Sequence, residues 1–375
     1  MYKIMTPGPV QVSENVRMAR SLEATNPDLD PAFFDFYKEV CDKLAQIMDS
    51  SQEVFILGGE GILGLEAACA SLTEVGDRVL IIDNGIFGRG FGEFVSMYGG
   101  EPIYFKSDYK NPIDVEALRE FLQRDNDFKY ATMVHMDTPS GVLNDVEAIS
   151  NLLKEYSILS VVDTVAGMFG EAISVDKGNI DILCAGSQKA LSAPPGLTMV
   201  SVSKAAFDSM LNRKTNICGF YANLLMYRGY YEKQAFPYTM PASDINGLNA
   251  AVDNVLAEKG IIDRHKRIAT ATRKALVDAG IKLYLESGFS NNVTALYVPE
   301  GVSDKAILNH IRDEYGIMLA GSLEEFDGML IRIGHMGENA KKEDMEMTLE
   351  AFQKTYEDLG IELKCNIKEA FNRYY

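Results

Sequence analysis

Uninterrupted apolar runs of strand length alternate with amphipathic stretches along the first two thirds of this chain. Val54-Phe55-Ile56-Leu57 ends in Gly58-Gly59, and behind it Leu63, Leu65, Ala67, Ala68, Ala70 and Leu72 open a helical pattern. Arg78-Val79-Leu80-Ile81-Ile82 predicts the next strand, stopped by Asp83-Asn84-Gly85. Residues 130–135 and 158–162 predict two more, with a helix near 145–156 between them, and residues 180–185 read as a further buried strand. Strands apolar at every position are buried on both faces, so helices cover both sides of an α/β sheet whose strands run mostly parallel. In such sheets ligands bind outside the carboxyl ends of the strands. Asn84, His135, Asp163 and Lys189 stand at or just beyond such ends, which predicts one shared site.

The pattern changes after about residue 245. A long helical stretch over 245–279, interrupted near Gly260, leads into strand patterns at 293–298 and 329–333 with a helix near 304–315 between them. An amphipathic helix over 341–359 follows. This predicts a smaller C-terminal α+β domain. The expected organisation is an arm of residues 1–20 that joins the small domain or a dimer interface, a large domain of 21–250, and a small domain of 251–375. With no repeat and no Pro/Ser-rich linker, the two domains are expected to pack closely.

The 375 residues, 47% apolar and 24% charged, suffice for two cores. A formal charge of −18 argues against nucleic acid or an anionic membrane surface as partner. An anionic ligand then needs a locally positive pocket. The five cysteines (Cys41, Cys69, Cys184, Cys218, Cys365) are scattered, without C-x-x-C spacing, as expected in a reducing compartment. None of the four histidines forms an H-x-x-x-H pair, so no metal site is expected. The N-terminal stretch carries no apolar leader pattern and no run reaches the length of a membrane span; the expected location is the cytoplasm.

The chemistry concentrates in Ser187-Gln188-Lys189-Ala190-Leu191-Ser192-Ala193-Pro194-Pro195-Gly196, directly after the apolar run of 180–185. A lysine on a short turn at a strand end sits where core meets cleft, and partial desolvation lowers an amine's pKa and frees its lone pair for carbonyl chemistry. Twenty-six residues earlier, Ser160-Val161-Val162-Asp163-Thr164 ends another apolar strand in a carboxylate. A Schiff-base amine and a partner for a pyridinium nitrogen are the two anchors that pyridoxal 5'-phosphate requires. Lys189 and Asp163 are therefore the candidate catalytic residues.

Further stretches carry a family resemblance: Pro7-Gly8-Pro9, Gly59-Glu60-Gly61 with Leu65-Glu66-Ala67, Asn84-Gly85-Ile86-Phe87-Gly88, Ser140-Gly141-Val142-Leu143, Val162-Asp163-Thr164-Val165-Ala166, residues 187–196, Arg213-Lys214-Thr215 and Arg332-Ile333-Gly334. In this order they resemble the class V, fold-type I aminotransferases that use pyridoxal 5'-phosphate, most of all the alanine–glyoxylate and serine–pyruvate group. The resemblance implies a large domain with a mostly parallel seven-stranded sheet. It implies that Lys189 holds the cofactor as a Schiff base and then shuttles a proton, with Asp163 on the ring nitrogen. It implies further that Phe87 stacks on the ring, that Thr138 bonds its phenolic oxygen, and that Gln188 and Val165 contact it. The turn of Glu60, Gly61 and Ile62 faces the phosphate with backbone N–H groups and a helix dipole. The resemblance also implies that Thr239 reaches the phosphate of a neighbouring subunit, in which case a homodimer is expected. Arg332 is expected to grip the substrate carboxylate through paired hydrogen bonds, with Gly8 beside it. His135 and His335 are expected to be structural.

Three positions depart from that pattern. Relatives place a small hydroxyl residue where Glu60 stands; a carboxylate ~4 Å from a phosphate is repelled by about 4 kcal/mol at an effective dielectric near 20. Glu60 is thus expected to turn away and offer only its backbone N–H, unless a cation lies between. Phe236 replaces a tyrosine, removing a phenolic donor for which Tyr238 could substitute. Thr25-Asn26-Pro27-Asp28 lacks a His-x-Ser pattern at the substrate border. The expected function is ping-pong transfer of an amino group from a small L-amino acid (alanine or serine) to a small 2-oxo acid (glyoxylate or pyruvate). Desulfuration fits poorly, since Phe87 replaces a histidine and no cysteine sits in a reactive loop. A 2-aminoethylphosphonate–pyruvate aminotransferase is the nearest alternative, and it would demand an extra cationic pocket. A silent member acting as a binding protein is the alternative of another class: Glu60 and Phe236 motivate it, whereas Lys189, Asp163 and Arg332 oppose it.

Overall fold

The computed structural model describes residues 2–375; residue 1 of the expected arm lies outside them. Seven strands form the central sheet: β1 (Glu53–Gly58), β2 (Arg78–Asp83), β3 (Glu101–Lys106), β4 (Tyr130–Val134), β5 (Leu159–Asp163), β6 (Ile182–Gly186) and β7 (Leu197–Val202). Their spatial order is β1-β7-β6-β5-β4-β2-β3. β7 runs antiparallel to both neighbours, and every other pairing is parallel. The antiparallel strand follows from its connection. β6 and β7 are joined directly by residues 187–196, with Thr198 opposite Gly186, and no crossover helix intervenes to make them parallel. That connection carries Lys189, so the sheet holds the lysine at the carboxyl edge of β6.

β2, β4, β5 and β6 are buried almost end to end, as their apolar runs predict. β3 escapes an apolar-run reading because it is an edge strand: Glu101, Tyr104 and Lys106 are exposed between half-buried neighbours. Helix Gly61–Leu72 follows β1 and is buried over most of its length, between the sheet and its neighbours. Helix Ile86–Met97 follows β2 through Gly85, whose φ of 153° only glycine adopts readily. The long helical stretch is two helices, Ala242–Ala257 and Ile261–Asp278, parted at Gly260 with φ 87°.

A second core gathers Ile268, Leu276, Ile307, Ile331, Ile333, Phe352 and Phe371. It lies under an antiparallel sheet of β8 (Val293–Tyr297), β9 (Ala320–Gly321) and β10 (Leu330–Gly334), in the order β8-β10-β9. Met5 is buried in this core, and Lys3–Ile4 pairs in parallel with Ile317–Met318. The next residues, Pro7 and Gly8, cross to the carboxyl edge of the central sheet, where they meet Lys189. Among the described residues no helix is long and apolar enough to cross a membrane.

Candidate active site

Lys189 emerges from the β6–β7 turn into a cavity of about 380 Å³. Its Nζ donates to the carbonyl oxygen of Pro7 at 2.8 Å. Burial pulls its pKa down to about 8, helped by the nearby Arg332 guanidinium and opposed by the carboxylates of Glu60 and Asp163. An amine with that pKa is partly neutral, and so nucleophilic, near neutral pH. Gly8 has φ +107°, and a Cβ there would lie 2.3 Å from the Lys189 Cδ. Glycine is needed at this position for both reasons.

Asp163 ends β5 with its side chain buried, and one carboxylate oxygen accepts the Val165 N–H at 2.8 Å. Burial raises its pKa to about 7, against the pull of that N–H and of Lys189. A buried carboxylate short of partners favours a cationic or N–H donor group brought to it. Val165 packs between two glycines: a Cβ on Gly61 would come within 2.7 Å of it, and one on Gly186 within 2.8 Å. Those close approaches bring helix Gly61–Leu72, β6 and the residues after Asp163 to a common wall.

Glu60 corrects the expectation drawn from the sequence. Its carboxylate does not turn away; it caps helix Gly61–Leu72 by accepting the Ile62 N–H at 3.0 Å and also accepts from the Gln188 Nε2. A free helix N-terminus offers unpaired N–H groups and positive potential, which draw in the nearest carboxylate. Glu60 and Ile62 both line the cavity, and Gln188 holds the carboxylate there while its own Oε1 stays buried without a partner.

Phe87 and Thr138 lie on the same cavity, Phe87 in the first turn of helix Ile86–Met97. Asp137, which the sequence reading passed over, fixes this wall. It is buried, accepts the Phe87 N–H at 3.1 Å and the Ser140 hydroxyl at 3.0 Å, and leaves no space for a Cβ on Gly85. Burial raises its pKa to about 6. It stands in a two-residue strand, Met136–Asp137, paired with Val142–Leu143, too short for any periodicity to reveal. Arg332, on β10, is buried behind Thr138 and is not on the cavity wall itself. Its Nε donates to Gly321 O at 2.7 Å and its Nη1 to Thr138 O at 3.4 Å.

The shared site expected from strand ends thus forms around Asp163 and Lys189, with Gly8, Glu60, Ile62, Phe87, Thr138, Val165 and Gln188, but not around Asn84 or His135. Asn84 donates to the Asp108 and Asn111 carbonyls and ties down a loop. His135 pairs with the Thr164 hydroxyl, and burial lowers its pKa to about 4. A strand end fixes where a residue stands and leaves the direction of its side chain open. Thr239 is exposed, bonded to Asp28 and off this cavity. Phe236 stacks on Phe34 at 4.5 Å inside an aromatic cluster, while Tyr238 receives the Gly58 N–H and pairs with Tyr227. Arg213 caps the end of helix Gly61–Leu72 through the Ser71 and Thr73 carbonyls, a structural role.

For a pyridoxal-type group the donor set fits well at the ring and aldehyde: a partly neutral amine, a buried carboxylate and an aromatic face share one cavity. At the helix N-terminus the fit to a phosphate is poorer, because Glu60 occupies the Ile62 N–H and Lys189 is the one cationic side chain on the wall among the described residues.

Residues 33–321 match the family model for aminotransferase class-V. The chain is 35% identical over 366 residues to an uncharacterized aminotransferase of Methanocaldococcus jannaschii, covering 96% of this chain and 94% of that one. It is 35% identical over 346 residues to the pyridoxamine–pyruvate transaminase of Mesorhizobium japonicum, covering 90% of this chain and 87% of the other. Its fold superposes on the ureidoglycine–glyoxylate aminotransferase of Bacillus subtilis with a TM-score of 0.96 at 26% identity, over 100% of this chain and 98% of that structure.

Proposed function

The chain belongs to the class V aminotransferases, fold-type I enzymes that work with pyridoxal 5'-phosphate, and from that premise we propose that it moves an amino group to a small 2-oxo acid, pyruvate or glyoxylate. The observation that carries this reading is the meeting of Lys189, its pKa lowered to about 8, with buried Asp163 in one cavity beside Phe87. When bound, the cofactor would supply a sink for the electrons left behind as the substrate α-proton is removed. Lys189 Nζ takes that proton and returns it, a task suited to a base whose pKa lies near the working pH. With the cofactor bound, Asp163 would hold positive charge on the ring nitrogen, Phe87 would cover the ring and Thr138 would orient its phenolic oxygen. Arg332 is the proposed partner of the carboxylate: it lies behind Thr138 and off the cavity wall, yet near enough to Lys189 to lower its pKa, and a planar guanidinium is suited to a carboxylate. Gly8 leaves room beside the lysine. Thr239, exposed and off its own cavity, together with exposed Ile62, Phe220 and Tyr221, supports a homodimer in which each subunit completes the other's site. The proposed location is the cytoplasm.

Alanine or serine is the first proposed donor. Phosphonate donors suit the wall poorly, for it offers no cationic side chain beyond Lys189 among the described residues. A second donor reading, pyridoxamine with pyruvate as acceptor, as named for the Mesorhizobium relative, is favoured by the carboxylate of Glu60 at the helix N-terminus. The test is a donor panel of alanine, serine and pyridoxamine against pyruvate and glyoxylate, with the product amino acids quantified. No alanine or glycine formed from any donor would reject the aminotransferase reading.

A further inference from the structure

We propose that Glu60 is a specificity-determining residue that disfavours a phosphate at the N-terminus of helix Gly61–Leu72 and favours a vitamin B6 compound carrying a neutral hydroxymethyl group there. The inference rests on the aminotransferase reading and assigns a substrate class to one end of the same cavity. Four observations converge on it. The Glu60 carboxylate takes the Ile62 N–H at 3.0 Å, a donor that an incoming anion would otherwise use. Gln188 donates to the same carboxylate from the adjoining turn, so Glu60 is held on the cavity wall from two sides. No cation offsets it: Lys189 is the one positive side chain on that wall among the described residues, and its Nζ is directed to Pro7. The neighbouring aromatic residues bring no spare donor, since Phe236 has no hydroxyl and stacks on Phe34, while the Tyr238 hydroxyl is engaged by Gly58 and Tyr227.

A phosphate monoester near neutral pH is an acceptor on every outward oxygen, as an ionised carboxylate is on both of its own. Acceptor facing acceptor yields repulsion and no hydrogen bond. A hydroxymethyl group carries an O–H that donates to Glu60, and a hydrogen bond to a charged acceptor is among the stronger ones available. The same residue therefore acts for one ligand and against the other.

The test uses the full-length, cofactor-free chain with 4-deoxypyridoxine and its 5'-phosphate. The two differ only in the phosphate, and neither has an aldehyde that could bond to Lys189, so calorimetric titration reads non-covalent affinity without turnover. Glu60→Gln keeps the shape of the side chain and removes its charge. It should shift the ratio of the two dissociation constants toward the phosphate ester by about tenfold or more. Glu60→Ser, which can still cap the helix, should shift it in the same direction and serves if the glutamine variant does not fold. A smaller shift, or one in the opposite direction, overturns the inference. Such a result in a chain that still aminates pyruvate or glyoxylate removes the role of Glu60 alone, whereas failure with every donor removes the reading beneath it.

Discussion

Lys189 donates its hydrogen bond to the backbone carbonyl of Pro7, so the amine of the candidate site rests on the N-terminal segment and not on an acidic side chain. That segment is anchored in the second core by Met5, and only glycine at position 8 lets it pass so close to the lysine. Gly8→Ala should therefore displace the Lys189 side chain and strain the backbone by about 1–3 kcal/mol. The expected outcome is a lower melting temperature together with slower uptake of pyridoxal 5'-phosphate, followed by visible absorbance. Wild-type uptake in the alanine variant would show that the contact is idle.

The lowered pKa of Lys189 gives a pH profile. The amine is neutral above its pKa, so its reaction with an aldehyde should speed up as pH rises toward about 8 and level off beyond it. A solvated lysine would keep gaining well past pH 9. Stopped-flow measurement of imine formation between pH 6 and 10 distinguishes the two profiles.

Asp163 makes the opposite kind of prediction, one of stability. Its pKa is raised by burial from 3.8 to about 7 in the folded chain, so the fold binds the proton more tightly than the unfolded chain does. Its contribution to stability accordingly falls as pH rises from about 4 to about 7 and is flat above. Asp163→Asn removes that slope. The cofactor-free variant should gain on the order of 2–4 kcal/mol relative to wild type across this window while losing amino transfer. Denaturant unfolding at pH 5 and pH 8 checks the first part, and alanine formation from pyruvate checks the second.

Much of this arrangement is legible in the chain itself, for identifiable reasons. β2, β4, β5 and β6 are apolar at nearly every position because helices cover both faces, and Ser187-Gln188-Lys189 is the polar break directly behind the apolar run of β6. What escapes is what tertiary contact decides. β3 is an edge strand whose exposed Glu101 and Lys106 break its apolar run. Asp137 belongs to a hairpin too short to show a period. Asn84 and His135 share strand ends with Asp163, yet their side chains satisfy the Asp108 carbonyl and the Thr164 hydroxyl. The N–H donors at the start of helix Gly61–Leu72 are legible in the glycine turn, whereas the capture of one of them by the Glu60 carboxylate, held there by Gln188, is decided in the folded chain.

The proposed carboxylate role of Arg332 gives a prediction on substrate affinity. Its guanidinium already donates to the Gly321 and Thr138 carbonyls, so it is held in place before any carboxylate arrives. Lysine cannot reproduce that fork. Arg332→Lys should raise KM for the 2-oxo acid by about tenfold or more while leaving the absorbance of the cofactor-loaded protein unchanged. Steady-state kinetics with pyruvate and glyoxylate, beside an absorption spectrum, separate the two effects.

The proposed amino transfer depends on the amine at position 189, and one measurement reaches it directly. The protein is loaded with pyridoxal and, in parallel, with pyridoxal 5'-phosphate, reduced with borohydride, digested and mapped by mass spectrometry. The reduced adduct should fall on the peptide containing Lys189, and Lys189→Ala should yield neither that adduct nor amino transfer. An adduct on another lysine, or undiminished turnover by the alanine variant, would contradict it.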